Sequence, residues 1–216
     1  MRDEYRADLL EVNRMLVTMA EAVRVAMRNA TSALLNVDQT AAEQVIARDA
    51  EIDALYRLVE DKIYDICARQ APVASDLRVV LTALHVAGDL ERMGDLADHV
   101  AKTALRRHPG CAVAEPLTAT FEQMGVVADR IAGKITTAIS TSDVVVAGQL
   151  DHDDDDMDQL HRDLFELMFG PKWTDGIEAA VDTALLGRFY ERYADHAVNA
   201  GRHVVFLVTG ESIHSQ

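Results

Sequence analysis

The chain has 216 residues, of which 49% are hydrophobic and 26% charged; 21 basic side chains face 36 acidic ones, for a net charge of −15. This balance supports a core-forming protein and excludes a disordered or low-complexity one. It also makes nucleic acid and anionic lipid poor partners, and metal cations or basic protein surfaces better ones. The two cysteines, Cys67 and Cys111, form neither a disulfide framework nor a CxxC pair. No apolar stretch approaches the roughly 20 residues that cross a bilayer, and the acids of the first ten residues are unlike a leader peptide. A cytoplasmic protein without direct membrane insertion is expected.

From Leu9 the series Leu9, Val12, Leu16, Met19, Val23, Ala26, Ala30, Ala33, Val37 steps by three and four, which predicts a long first helix. Asp38 is placed to cap a second helix that runs to about Gln70. Pro72 interrupts, and a third helix is expected from Ser75, read as its N-cap, to about His108. Residues 109–116, bracketed by Pro109 and Pro116, read as a linker. Leu117, Phe121, Met124, Ala128, Ile131, Ile135 and Ala138 then restart the first rhythm. An offset of 105 aligns Asp38 with Asp143, Asp49 with Asp154 and Asp53 with Asp158. An offset of 100 aligns Glu91 with Glu191 and Asp95 with Asp195. The expected fold is therefore all-α: two tandem three-helix bundles related by internal duplication, residues 1–108 and 117–210, with a tail at 211–216. Residues 1–108 hold 14 bases and 18 acids, residues 109–216 hold 7 and 18, so the second repeat is the more acidic.

Carboxylates interrupt the apolar stripes at duplicated places. Asp49 and Asp53 share a face of helix two, and Glu91 and Asp95 extend the line of Leu77, Leu81, Leu84 and Gly88 in helix three. Asp154, Asp158, Glu191 and Asp195 repeat the pattern. If the helices are antiparallel neighbours, each set of four converges, and its mutual repulsion calls for protons, arginines or cations. Oxygen-only sets favour hard cations such as Fe(III), Mn(II), Mg(II) or Ca(II). His99 and Asn199, four residues past Asp95 and Asp195, and His161, three past Asp158, are further candidate ligands that keep Zn(II) open. The competing reading pairs the acids with Arg92, Arg188 and Arg192. Asp153, Asp155 and Asp156 are expected on a solvated face, and His85, His108, His152, His196, His203 and His214 in structural roles. No phosphate loop, GxSxG or HExxH occurs, and Glu91 and Glu191 lack the following histidine of di-iron oxidases.

DLERMGDLADHVAK at 89–102, FYERYADHAVNAG at 189–201 and QAPVASDLRVVLTAL at 70–84 resemble the PhoU family of bacterial phosphate-transport regulators, and the resemblance spans essentially the whole chain. It implies two three-helix bundles, frequent dimerisation, and multinuclear metal sites (Fe, Mn or Zn, with Mg or Ca as alternatives) on Asp49, Asp53, Glu91, Asp95, Asp154, Asp158, Glu191 and Asp195. It further implies a non-enzymatic negative regulator of the phosphate-starvation response. Such a regulator bridges the phosphate ABC transporter's ATPase and a membrane-bound sensor histidine kinase, which puts it peripherally at the inner face of the membrane. Arg92 and Arg192, in the doubled E-R-x-x-D, are read as partner contacts or cluster supports. The second repeat departs from the family pattern at Tyr193 and Ala194, and PKWTDGIEA is a thin match to P-x-x-x-D-L-R. The rival from another class is a metal store or metal-dependent helical-bundle protein.

Overall fold

Apolar residues recurring every three to four positions commit most of the chain to helix. The computed structural model, which describes residues 2–211 apart from Lys172, contains no strand among them. The helices are α1 (Arg2–Asn36), α2 (Gln39–Gln70), α3 (Ser75–Arg107), α4 (Thr118–Thr141), α5 (Val144–Gly148), α6 (Leu150–Phe169) and α7 (Gly176–Thr209), with one 3-10 turn at Glu115–Leu117. The start and stop signals are local. The Ala41 N–H donates to Asp38 Oδ1 at 3.0 Å, and its counterpart Asp143 Oδ1 accepts from the N–H groups of Val145 and Val146 at 2.8 and 3.1 Å. Residues 212–216, most of the expected tail and including His214, lie outside the described residues.

α1, α2 and α3 pack on one another, as do α4, α6 and α7, and the two triples meet through α1 against α4 and α3 against α7. The core runs through that junction. Met19, Val23 and Met27 of α1, Leu90 and Met93 of α3, Phe121, Met124 and Ile131 of α4, and Tyr190 and Tyr193 of α7 are all buried. Each such apolar side chain contributes on the order of 1.5–3 kcal/mol. The tyrosine hydroxyls are satisfied across the junction: Tyr190 shares a 2.7 Å hydrogen bond with Thr31, and Tyr193 donates to the Val23 carbonyl at 3.2 Å. Tyr193 therefore turns toward α1, and its bulk is spent in the core. On the same seam Asp89 meets His196 Nδ1 at 3.0 Å and His203 Nε2 at 3.7 Å, while His203 stacks on His85 with ring centroids 5.0 Å apart.

Four expectations are corrected. Ser75 is the first helical residue and no cap. Ala74, at φ 50°, holds the cap position with no side-chain hydrogen bond, and Ser75, already helical, stands one position too late to cap. The expected single fifth helix is divided at Gln149, whose N–H bonds back to the Val146 carbonyl three residues earlier and tightens the turn after Gly148. Leu77 and Leu81 are 39% and 46% exposed, because a helix with neighbours on two sides has apolar margins as well as an apolar centre, and they lie on a margin. Asp153 is 5% exposed: α6 turns it toward α4, where Arg130 Nε and Lys134 Nζ lie at 3.1 and 2.6 Å.

α7 approaches the α5–α6 junction closely enough that a Cβ on Gly201 would stand 2.5 Å from Leu150 Cδ1 and 3.3 Å from the Ala147 carbonyl oxygen. Gly201→Ala is expected to cost about 1–3 kcal/mol through overpacking, read as a lower urea midpoint. An unchanged midpoint would mean that Leu150 turns aside freely.

Candidate metal-binding clusters

α2 and α3 present Asp49, Asp53, Glu91 and Asp95 to one another on the margin where the two helices pack, and α6 and α7 do the same with Asp154, Asp158, Glu191 and Asp195. Their electrostatics show the convergence. Burial raises the Asp49 carboxyl above its ordinary range, and the charges of Asp98, Asp53 and Asp95 add to it. Glu91 is raised by burial and then by Asp95, with smaller contributions from Asp53 and Asp49 and a counter-pull from Arg92. In the second cluster burial, followed by Asp195, Asp158, Glu191 and Asp151, pushes Asp154 up to about 7. Glu191 is raised by burial and Asp195, against Arg188. Within each set of four the charges are thus near enough to act on one another.

Two arginines partly compensate. Arg92 Nη1 reaches Asp95 Oδ2 at 2.8 Å and its Nε lies 3.7 Å from Glu91 Oε2. In the second repeat the partner of Glu191 is Arg188, which stands where the first repeat has Gly88. Arg192 is exposed and has no hydrogen bond or ion pair among the described residues, so the doubled E-R does not carry a doubled role. These arginines are over half exposed, and such pairs are worth on the order of 0.2–1 kcal/mol. They leave Asp154 Oδ1 buried without a partner.

Among the described residues no three His, Cys, Asp or Glu side chains stand close enough together to hold an ion as they are. The two observations are compatible, because charges couple over several ångströms whereas coordination brings oxygens to roughly 2.0–2.6 Å from one centre. Closing on a cation would take side-chain rotation and release of Arg92 and Arg188. The donor chemistry fits: acids made costly by burial and repulsion, plus one orphaned oxygen, gain most from a cation.

Of the further candidate ligands, His161 is half-buried with an unpartnered Nε2, and burial followed by Arg188 lowers its pKa, leaving the neutral, metal-binding form. Gly187 makes room for it; a Cβ there would lie 3.0 Å from His161 Cδ2. His99 instead leans on Phe189, with centroids 5.1 Å apart, and Asn199 is exposed. The sequence reading missed Asp98, whose side chain is 5% exposed and paired to Lys102 at 2.5 Å. The 4,3 rhythm of Glu91 and Asp95, carried one step on, lands on it.

The PhoU domain matches this chain twice, over residues 16–104 and 121–204. The chain is 43% identical to the phosphate-specific transport system accessory protein PhoU homolog 2 of Mycobacterium tuberculosis, a likeness spanning 97% of this chain and 99% of that one. It is 42% identical to homolog 1 of Mycobacterium leprae, over 97% and 95%. In structure it resembles PhoU from Pseudomonas aeruginosa (TM-score 0.87, 27% identity, 96% and 100% coverage) and the phosphate transport system regulatory protein PhoU from Streptococcus pneumoniae (0.88, 25%, 98% and 100%).

Proposed function

Because the chain belongs to the PhoU family, we propose that it is a negative regulator of phosphate uptake and of the phosphate-starvation response. It acts by docking on the ATPase of a phosphate ABC transporter and on a sensor histidine kinase. The observation that carries this reading is the near full-length likeness to proteins named accessory to phosphate-specific transport. No described helix is long and apolar enough to cross a membrane, so contact with both membrane-bound systems would run through protein surfaces, from the cytoplasmic side. The role is binding rather than turnover, and the regulator works as a homodimer.

In this reading the two carboxylate clusters hold Fe, Mn or Zn, with Mg or Ca as alternatives. A bound cation supplies positive charge that offsets carboxylate repulsion. The protein's part is to hold Asp49 and Asp53 against Glu91 and Asp95, and Asp154 and Asp158 against Glu191 and Asp195. The margin thereby keeps one shape for a partner to read. A metal store would use the same residues but needs no partner.

Deletion of the gene is expected to leave phosphate-starvation genes expressed in rich phosphate, and the wild-type protein to restore repression. A metal phenotype with phosphate control intact would instead favour the store. A finer test follows from the unequal arginines. Arg192→Glu should keep fold and metal content yet weaken binding to the kinase or the ATPase, whereas Arg92→Glu, which frees Glu91 and Asp95 from their ion pairs, should leave partner binding unchanged and metal bound as tightly or more tightly. Unchanged partner binding by Arg192→Glu would remove that residue from the interface.

A further inference from the structure

We infer that Asp98 is a fifth carboxylate of the first cluster, an additional ligand through Oδ1 for a hard, oxygen-preferring cation, and that the two clusters are therefore chemically unequal. The inference rests on the reading of these clusters as cation sites and adds to it a residue outside the paired four-residue-spaced acids.

Burying a carboxylate costs several kcal/mol unless each oxygen finds compensation. The Asp98 side chain is 5% exposed. Its Oδ2 is held by Lys102 Nζ at 2.5 Å, one helical turn on, but its Oδ1 is buried with no partner among the described residues. Asp98 itself stands near Asp49 across the helix pair. Among the charges that raise Asp49, Asp98 is the largest, ahead of Asp53 and Asp95 within the motif itself. Spacing agrees: Glu91, Asp95 and Asp98 step by four and three along one stripe of α3.

The second repeat puts Val198 at the equivalent place, 3% exposed, so an apolar side chain fits this position of the helix pair. A buried aspartate with a free oxygen is the costlier choice, and it has a use if that oxygen meets a cation. Lys102 then balances the other oxygen, so the extra acid adds a donor without adding a full net charge. The first cluster becomes all-oxygen with five carboxylates, suited to Mn(II) or Fe(III); the second keeps four and has His161 beside it, a nitrogen donor that suits Zn(II).

The test uses the full chain carrying Asp154→Asn and Glu191→Gln, which silences the second cluster, with Mn(II) binding followed by equilibrium dialysis and elemental analysis. Adding Asp98→Asn, which preserves shape, is expected to weaken Mn(II) binding by about tenfold or more. Adding Lys102→Met should leave binding as tight or tighter, because it frees the second oxygen. Unchanged affinity in Asp98→Asn overturns the inference while leaving the cluster a cation site. So does a loss in Lys102→Met equal to that in Asp98→Asn, which would make the aspartate only a partner of the lysine. If the background itself binds no Mn(II), the cation reading fails along with the inference. Melting curves of each variant in chelator confirm that the fold is intact.

Discussion

Protein purified without chelator is expected to carry more than one equivalent of Fe, Mn or Zn per chain, and the variant with Asp49→Ala, Glu91→Ala, Asp154→Ala and Glu191→Ala to carry none. Each substitution removes a carboxylate that burial and like-charged neighbours raise, so the variant loses donors without losing core packing. Should the wild type emerge empty, added Mn(II) or Fe(III) is expected to bind, because carboxylate sites exchange ions readily. A cation at 100 times its dissociation constant adds about 2.7 kcal/mol per site. At roughly 2–4 °C per kcal/mol for a chain of this size, that is a rise in Tm of about 5–10 °C. Equal melting points in chelator and in excess Mn(II) would instead mean that Arg92 and Arg188 already suffice. Full metal content in the quadruple variant would sink the cluster assignment.

In chelator, stability is expected to fall as pH rises from about 4 to about 7. Asp154 is pushed up to about 7 in the folded chain from an ordinary 3.8. Between those values the native state holds a proton that the unfolded state has released, and unfolding becomes easier with each step upward. Glu91, Asp49 and Glu191 act in the same direction. The whole Asp154 shift would correspond to about 4 kcal/mol, but the group is only half-buried and solvent screening brings the expected loss to about 1–2 kcal/mol. Asp129 works oppositely: hydrogen bonds from Arg24 and then Arg28 lower its pKa, so its contribution is present at neutral pH and lost as the solution is acidified through the carboxylate range. Urea midpoints at pH 4.5 and 8 read the balance. Asp154→Asn should flatten the limb above pH 4, and excess Mn(II) should flatten it too. A limb that persists in Asp154→Asn would place its origin elsewhere.

Periodicity and punctuation made most of the fold legible. Asp38 and Asp143 cap helices as their spacing predicts, and the line from Leu9 to Ala33 is one helix face, whereas Val37, at φ 54°, lies in the turn past the helix end. Both sets of four acids could be found because duplication repeats a costly choice and so separates it from chance. What periodicity could not supply is how far each stripe lies from the helix centre: Leu77 and Leu81 keep the rhythm of Glu91 and Asp95, yet they lie at an open margin. Nor does a run of four aspartates reveal which of them meets Arg130 and Lys134, since that depends on how α6 is rotated against α4. Asp98 escaped because the reading stepped by four from Asp95, to His99, where the helix face itself steps by three.

Arg24 and Asp129 are 105 residues apart, the same offset that superposes the two halves, and they touch: Nε meets Oδ1 at 3.0 Å and Nη2 meets Oδ2 at 2.9 Å. Equivalent positions can meet only on the axis that relates the halves. In a dimer of two identical half-length chains, that axis would set arginine against arginine, or aspartate against aspartate, since an isologous contact places each axial residue opposite its own copy. The bidentate pair, reinforced by Arg28, is available only to a chain whose halves have diverged. Joining the halves has thus let opposite charges sit where isologous self-association would allow only like ones.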